Sequence, residues 1–273
     1  DALPICAAMK GAEQIYLAVP SQSLRSNLEA WGATIPDAAI LVSLMKGVEK
    51  ETGLRMSEVM QEILKFPEEQ LAVVSGPNLS LEIAAEEPTA SVASSISEET
   101  RTAVAEAASN EYFTTFTNDD VIGTEFGGIL KNLIAVAIGI VNGVGYGQNT
   151  KASIMTRGLA ELTRFAVAYG AEEKTMVGLA GLGDLIATSE SSLSRNHKAG
   201  EMLGKGYTLR EVQRRMAQTA EGLSSVAPIL QLAKAKHVSM PIVEQVQLVL
   251  EGKMNPRDIA PHLTHAADGP IDE

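Results

Sequence analysis

The chain has 273 residues and a formal net charge of −12, from 34 acidic and 22 basic side chains. So acidic a surface repels nucleic-acid backbones and anionic lipids, which counts against both as partners. An anionic ligand would instead need a few locally placed cations. The single cysteine, Cys6, excludes an internal disulfide or a cysteine-rich zinc site, and a reducing, cytoplasmic setting fits best.

Hydrophobic residues make up 45% and aromatics only 4%, so the core is expected to be aliphatic. The longest uncharged apolar run, residues 133–141, falls far short of the ~20 residues of a membrane-spanning helix, and no signal peptide shows at the start.

In chain order, residues 15–19 read as a strand closed by Pro20, and 23–30 as a helix. A strand at 40–44 ends at Met45-Lys46-Gly47, and a helix at 57–64 follows. Residues 71–74 form the next strand, before the turn Ser75-Gly76-Pro77. A helix at 81–85, a strand at 90–93, a helix at 98–108 and a strand at 113–117 complete this part. Strand and helix in turn predict a mostly parallel, doubly wound α/β sheet of Rossmann type.

After Asn118 the pattern turns helical, with long stretches at 121–144 and 153–169. Thr208-Leu-Arg-Glu211 has capping-box form, and Pro241 suits a first helical position. The expected organisation is therefore a partial dinucleotide-binding domain over 1–118 and an all-helical domain over 119–273.

A dinucleotide-binding sheet usually opens with a strand, a G-x-G-x-x-G turn and a helix. Nothing before Ile15 supplies that unit, so the sheet is expected to begin part-way through. Gly143-Val-Gly145-Tyr-Gly147 has the wrong spacing, and like the glycines of residues 178–183 it does not follow a strand.

Several segments carry candidate chemistry. In Gly127-Gly128-Ile-Leu-Lys131-Asn132, the Lys131 stem leans back over two residues without side chains. That predicts either a substrate pocket beside the amine or a close helix–helix contact. Lys46 follows a strand directly, on the edge where open α/β sheets place ligands; it reads as a ligand contact or as a solvated loop lysine. Asp184, in a glycine-flanked turn, reads as a cap on its own backbone or as a site carboxylate. Ser194-Arg195-Asn196 reads as a helix start able to hold an anion, or as an ordinary capped helix. Arg157 and Glu161, four apart, suggest a buried ion pair. His197, His237, His262 and His265 show no metal spacing and read as surface imidazoles.

The order of these segments resembles bacterial NAD(P)-dependent glycerol-3-phosphate dehydrogenase. The run comprises Val19-Pro20-Ser21-Gln22, Lys46-Gly47, Ser75-Gly76-Pro77, Gly127-Gly128-x-x-Lys131-Asn132, Asn149-Thr-Lys-Ala152 and Thr156-Arg157-Gly158. Gly178-Leu-Ala-Gly-Leu-Gly-Asp184-Leu, Ser194-Arg195-Asn196 and Glu221-Gly222 complete it.

The resemblance implies an oxidoreductase using NAD or NADP to interconvert dihydroxyacetone phosphate and sn-glycerol 3-phosphate, the latter for phospholipid synthesis. It also implies that Lys131 is the proton donor and acceptor, and that Lys46, Gly76, Asn78, Asp184, Ser194, Arg195 and Asn196 line the substrate site. Lys46, Ser80, Arg195, Thr219 and Glu221 are implied to meet the cofactor. The sequence departs from the family at Gly76-Pro77-Asn78-Leu79-Ser80, where Gly-Pro-Ser/Thr-Phe-Ala is usual, and at Thr219, where a small aliphatic residue is common. An inactive glycerol-phosphate-binding fragment and a related two-domain hydroxyacid reductase are the alternatives. The apolar length of the helical part leaves room for a homodimer.

Overall fold

The computed structural model describes residues 3–191, 194–216 and 220–260. Helix α1 (Leu3–Met9) precedes strand β1 (Gln14–Leu17), helix α2 (Leu24–Trp31), strand β2 (Ile40–Ser43) and helix α3 (Met56–Leu64). Strand β3 (Leu71–Ser75), helix α4 (Ser80–Ala84), strand β4 (Thr89–Ser94), helix α5 (Glu98–Ala108) and strand β5 (Phe113–Asn118) follow. Apart from α1, which adds a helix to the expected set, these match the predicted elements to within a residue or two.

The five strands lie in chain order, β1 to β5. β1–β2, β2–β3 and β4–β5 pair in parallel, and β3–β4 is antiparallel. The helix between these two strands, α4, is only five residues long.

Alternation along the strands divides the core. Leu41 and Leu71 pack on one face with Leu24, Leu28, Trp31, Met56 and Met60 of α2 and α3. Their neighbours Val42 and Ala72 pack on the other with Val104 and Ala105 of α5. Period-two strands with helices on both faces require this separation.

The helical part comprises α6 (Val121–Val144), α7 (Gln148–Ala168), α8 (Glu173–Met176), a π turn (Leu179–Gly183), α9 (Asp184–Glu190) and α10 (Arg195–Gly204). It continues with α11 (Leu209–Arg215), α12 (Glu221–Ala235) and α13 (Pro241–Leu250). Asp120 starts α6 by accepting a hydrogen bond from Gly123 N, and Gly145 ends it in a left-handed conformation at φ 97°. Thr208 and Glu211 form the expected capping box, and Pro241 sits in the first turn of α13.

By length and composition α6 could cross a membrane, but 83% of its most apolar window is buried inside the protein. It is the central core helix, packed against α7, α9, α10, α12 and α13.

Two glycine pairs bring α6 and α10 together. A Cβ at Gly139 would lie 2.2 Å from His197 O, and one at Gly200 would lie 2.1 Å from Val136 O. Gly143 and Gly204 repeat the arrangement one turn on. The two backbones therefore touch, running in the same direction. This contact accounts for Gly143, in the glycine run whose spacing did not fit a nucleotide loop.

The expected Arg157–Glu161 ion pair gives way to a different arrangement. Both Glu161 oxygens accept backbone N–H groups, from Ile242 at 2.9 Å and Val243 at 3.1 Å. Glu161 thus caps α13 from a neighbouring helix, a partner 81 residues away that no local spacing reveals. Burial raises its carboxyl to about 7, although the two N–H donors oppose the rise.

Candidate active site

The C-terminal ends of β1, β2 and β3 open onto a cleft of about 740 Å³, whose other wall is built from α6, α9, α10 and α12. Open α/β sheets place ligands at this edge. Residues Ala18, Val19, Leu44, Met45 and Val74 give the sheet side an apolar lining, and Lys46, Lys131, Asn132, Thr188, Arg195 and Glu221 add polar groups.

Behind the cleft, two lysines share one carboxylate. Lys131 Nζ donates to Asp184 Oδ1, and also to Thr188 Oγ1 at 2.6 Å. Lys46 Nζ donates to Asp184 Oδ2 at 2.6 Å and to the Gly76 carbonyl at 3.0 Å. Asp184 is 1% exposed and Lys131 7%. Burial lowers the Lys131 ammonium to about 7; Lys46 pushes the same way and Asp184 opposes. A lysine poised there can give or take a proton near neutral pH.

Of the two uses open to the glycines before Lys131, a pocket beside the amine or a close contact, the described residues show close contact. A Cβ at Gly127 would lie 2.4 Å from Ala180 O, and one at Gly128 would meet Ser75 Oγ at 2.6 Å and the Lys46 stem at 3.2 Å. Protein fills the cleared space. Gly127 admits the π turn that presents Asp184, and Gly128 lets Lys46 cross α6. Asp184 is likewise no cap on its own backbone; its carboxylate spans the two lysines.

The Ser75–Asn78 turn forms part of the opposite wall. Gly76 has φ 139°, and a Cβ there would lie 3.2 Å from Ser91 Cα, so the position needs glycine on both counts. Asn78 Nδ2 donates to Ser91 Oγ at 3.1 Å. Ser75 Oγ and Asn78 Oδ1 are buried without a partner among the described residues. Ser80, exposed at the first position of α4, also lines the cleft.

On the helical side, Ser194 caps α10 by accepting from His197 N at 3.2 Å. Asn196 Nδ2 donates to Asn132 Oδ1 at 2.8 Å, and its Oδ1 accepts from Gly222 N at 2.9 Å. One side chain thus joins α6, α10 and α12 beside the lysine. Arg195 is exposed at the cleft, where its charge opposes the upward shift that burial imposes on Glu221.

Lys46, Asn78, Ser80, Lys131, Ser194, Arg195, Asn196 and Glu221 all line the one cleft. Gly76 and Asp184 meet it through Lys46, and Thr219 lies outside the described residues. Sequence reasoning missed Thr188. A threonine four residues after Asp184, one helical turn on, was the available signal.

A ligand cleft at a sheet edge, with two lysines on one buried carboxylate, is an arrangement suited to proton transfer on a bound small molecule. Models of the NAD-dependent glycerol-3-phosphate dehydrogenase N-terminus and C-terminus match residues 4–101 and 120–261. A glycerol-3-phosphate dehydrogenase [NAD(P)+] from Leifsonia xyli subsp. xyli is 65% identical over 257 residues, covering 94% of this chain and 70% of that protein. The enzyme of that name from Thermobifida fusca is 48% identical over 254 residues, covering 93% and 76%. The crystal structure of glycerol-3-phosphate dehydrogenase from Coxiella burnetii superposes with a TM-score of 0.90 at 32% identity, covering 96% of this chain and 80% of that one. The chain belongs to the NAD-dependent glycerol-3-phosphate dehydrogenase family.

Proposed function

We propose that the cleft interconverts dihydroxyacetone phosphate and sn-glycerol 3-phosphate, with Lys131 as proton donor and acceptor at the C2 oxygen. The observation that carries this reading is the pair of lysines on the buried carboxylate of Asp184.

The residues present fit a nicotinamide nucleotide. Apolar side chains at three strand ends line one side of the cleft, and Ser80, Arg195 and Glu221 offer polar groups to it. Lys46, Ser80, Arg195 and Glu221 would hold it, with Thr219 as the remaining candidate. When bound, NAD or NADP supplies or accepts a hydride at C2.

In reduction, the Lys131 ammonium gives its proton to the C2 oxygen as negative charge develops there. In oxidation the neutral amine takes that proton back. Asp184 and Thr188 fix the amine's direction, and Lys46 keeps it from being held permanently charged. Ser194, Arg195 and Asn196 at the start of α10 bind the phosphate, where helix N-terminus and guanidinium act together. Gly76 and Asn78 close the substrate site from the sheet. The division of labour follows a boundary between residues 118 and 119, supported by the change there from sheet to helices.

Comparing dihydroxyacetone phosphate with unphosphorylated dihydroxyacetone tests the reading. The wild type is expected to prefer the phosphorylated ketone strongly in kcat/KM, and Arg195→Ala to lose most of that preference. Equal rates on the two ketones would refute the phosphate role.

A further inference from the structure

Glu125 is 3% exposed, in the first turns of α6, and its carboxylate faces the start of α3. Its Oε1 accepts from Ser57 N at 3.0 Å; its Oε2 accepts from Ser57 Oγ at 2.5 Å and from Arg55 Nη1 at 2.5 Å. Arg55 in turn pairs with Glu58 at 3.1 Å and lies over the Phe126 ring. A buried carboxylate and guanidinium contribute little stability over apolar side chains of the same shape, because both must be desolvated. Stability alone is therefore a poor account of this pair.

Its position supplies a better one. Arg55 ends the loop that begins after β2 and carries Lys46. That loop is folded on itself by the Val48–Arg55 bridge and by Glu49 N donating to Leu54 O at 2.9 Å. Val48 inserts into the core around α6. Along α6, Gly128 is three residues after Glu125 and admits the Lys46 stem, and Lys131 is three further on. In successive steps of three along α6, Glu125 thus fixes the end of the loop, Gly128 lets its lysine pass and Lys131 presents the amine.

We propose that Glu125 is a positioning residue for the reaction: by tying Arg55 and Ser57 to α6 it holds the Lys46 ammonium beside Lys131. This rests on the dehydrogenase reading above. Among the described residues, the charged groups facing Lys131 are Lys46 and Asp184, and the one facing Glu125 is Arg55, which carries Glu58.

Steady-state kinetics of the full-length enzyme with NADH or NADPH and dihydroxyacetone phosphate test the proposal. Glu125→Gln is expected to lower kcat about tenfold with little change in the cofactor's KM, and to lose that effect in a Lys46→Met background, as coupled residues do. Its pH profile discriminates further. Releasing Lys46 leaves Asp184 to Lys131 alone and moves the limb near 7 upward. A charge acting only through space would move it downward. Ser57→Ala, which keeps the ion pair, is expected to give about a threefold loss in the same direction, also cancelled by Lys46→Met. An undiminished loss in the Lys46→Met background, an unchanged kcat or a downward limb would each overturn the proposal. Lys131→Met run in parallel separates the failures: near-normal turnover there overturns the site reading itself, whereas its loss beside additive Glu125 effects overturns only the positioning role.

Discussion

The cleft end of the molecule and the helical core farther along α6 each hold a buried ionisable group moved to about 7, and the two are put to different uses. At the cleft, Lys131 has a second cation, a shared carboxylate and an open side facing 740 Å³ of space. In the core, Glu161 has two backbone donors and serves only to start α13. Burial alone perturbs both. What separates a reactive group from a structural one is an accessible face and a partner that supports the other protonation state.

The sharpest way to break this contrast is Lys131→Met, expected to lower kcat about a thousandfold or more while fluorescence titration shows cofactor affinity retained. Asp184→Asn comes next, with a loss of about a hundredfold. Without the carboxylate that supports its charge, the Lys131 limb moves to lower pH, which a pH profile reads directly.

In the core, Gly139→Ala forces a methyl against the His197 carbonyl and is expected to cost about 3 kcal/mol in urea unfolding, at the upper end for overpacking. A cost near zero would show that the helices can separate freely.

The smallest effect distinguishes the two groups by sign. The folded state raises the Glu161 carboxyl from 4.5 to about 7, so it binds the proton more tightly than the unfolded chain. Stability from this group is greatest below 4.5 and falls as pH rises to about 7. Lys131 is lowered from 10.5 to about 7, so its penalty is full below 7 and fades between about 7 and 10.5. Thermal melts of Glu161→Gln should therefore gain on the wild type by about 2 kcal/mol between pH 5 and 7. Parallel curves would mean that Glu161 does not titrate in that window.

What could be read without coordinates follows the range of the interactions. The ends of α5 and α6, the cap at Thr208 and the proline of α13 are set by neighbours within a few residues, and local pattern found them. Lys46 could be placed on the ligand edge because strand ends define it. The contact of Lys46 with Asp184 joins residues 138 apart, and no spacing rule connects them. The same holds for Glu161 with α13 and for Glu125 with Arg55. The glycines before Lys131 were correctly singled out as clearing space, but only the fold shows that Ala180, Ser75 and Lys46 occupy it.

The backbone contact between α6 and α10 has a mechanical consequence. With Gly139 and Gly143 seated against residues 197 to 204, and Asn196 bonded to Asn132, the start of α10 and the Lys131 amine belong to one stiff unit. Any flexing between sheet and helices leaves their separation unchanged and acts on the Lys46 side. The spacing between the start of α10 and the Lys131 amine is thus built into a single pair of helices, and the sheet has only to meet it.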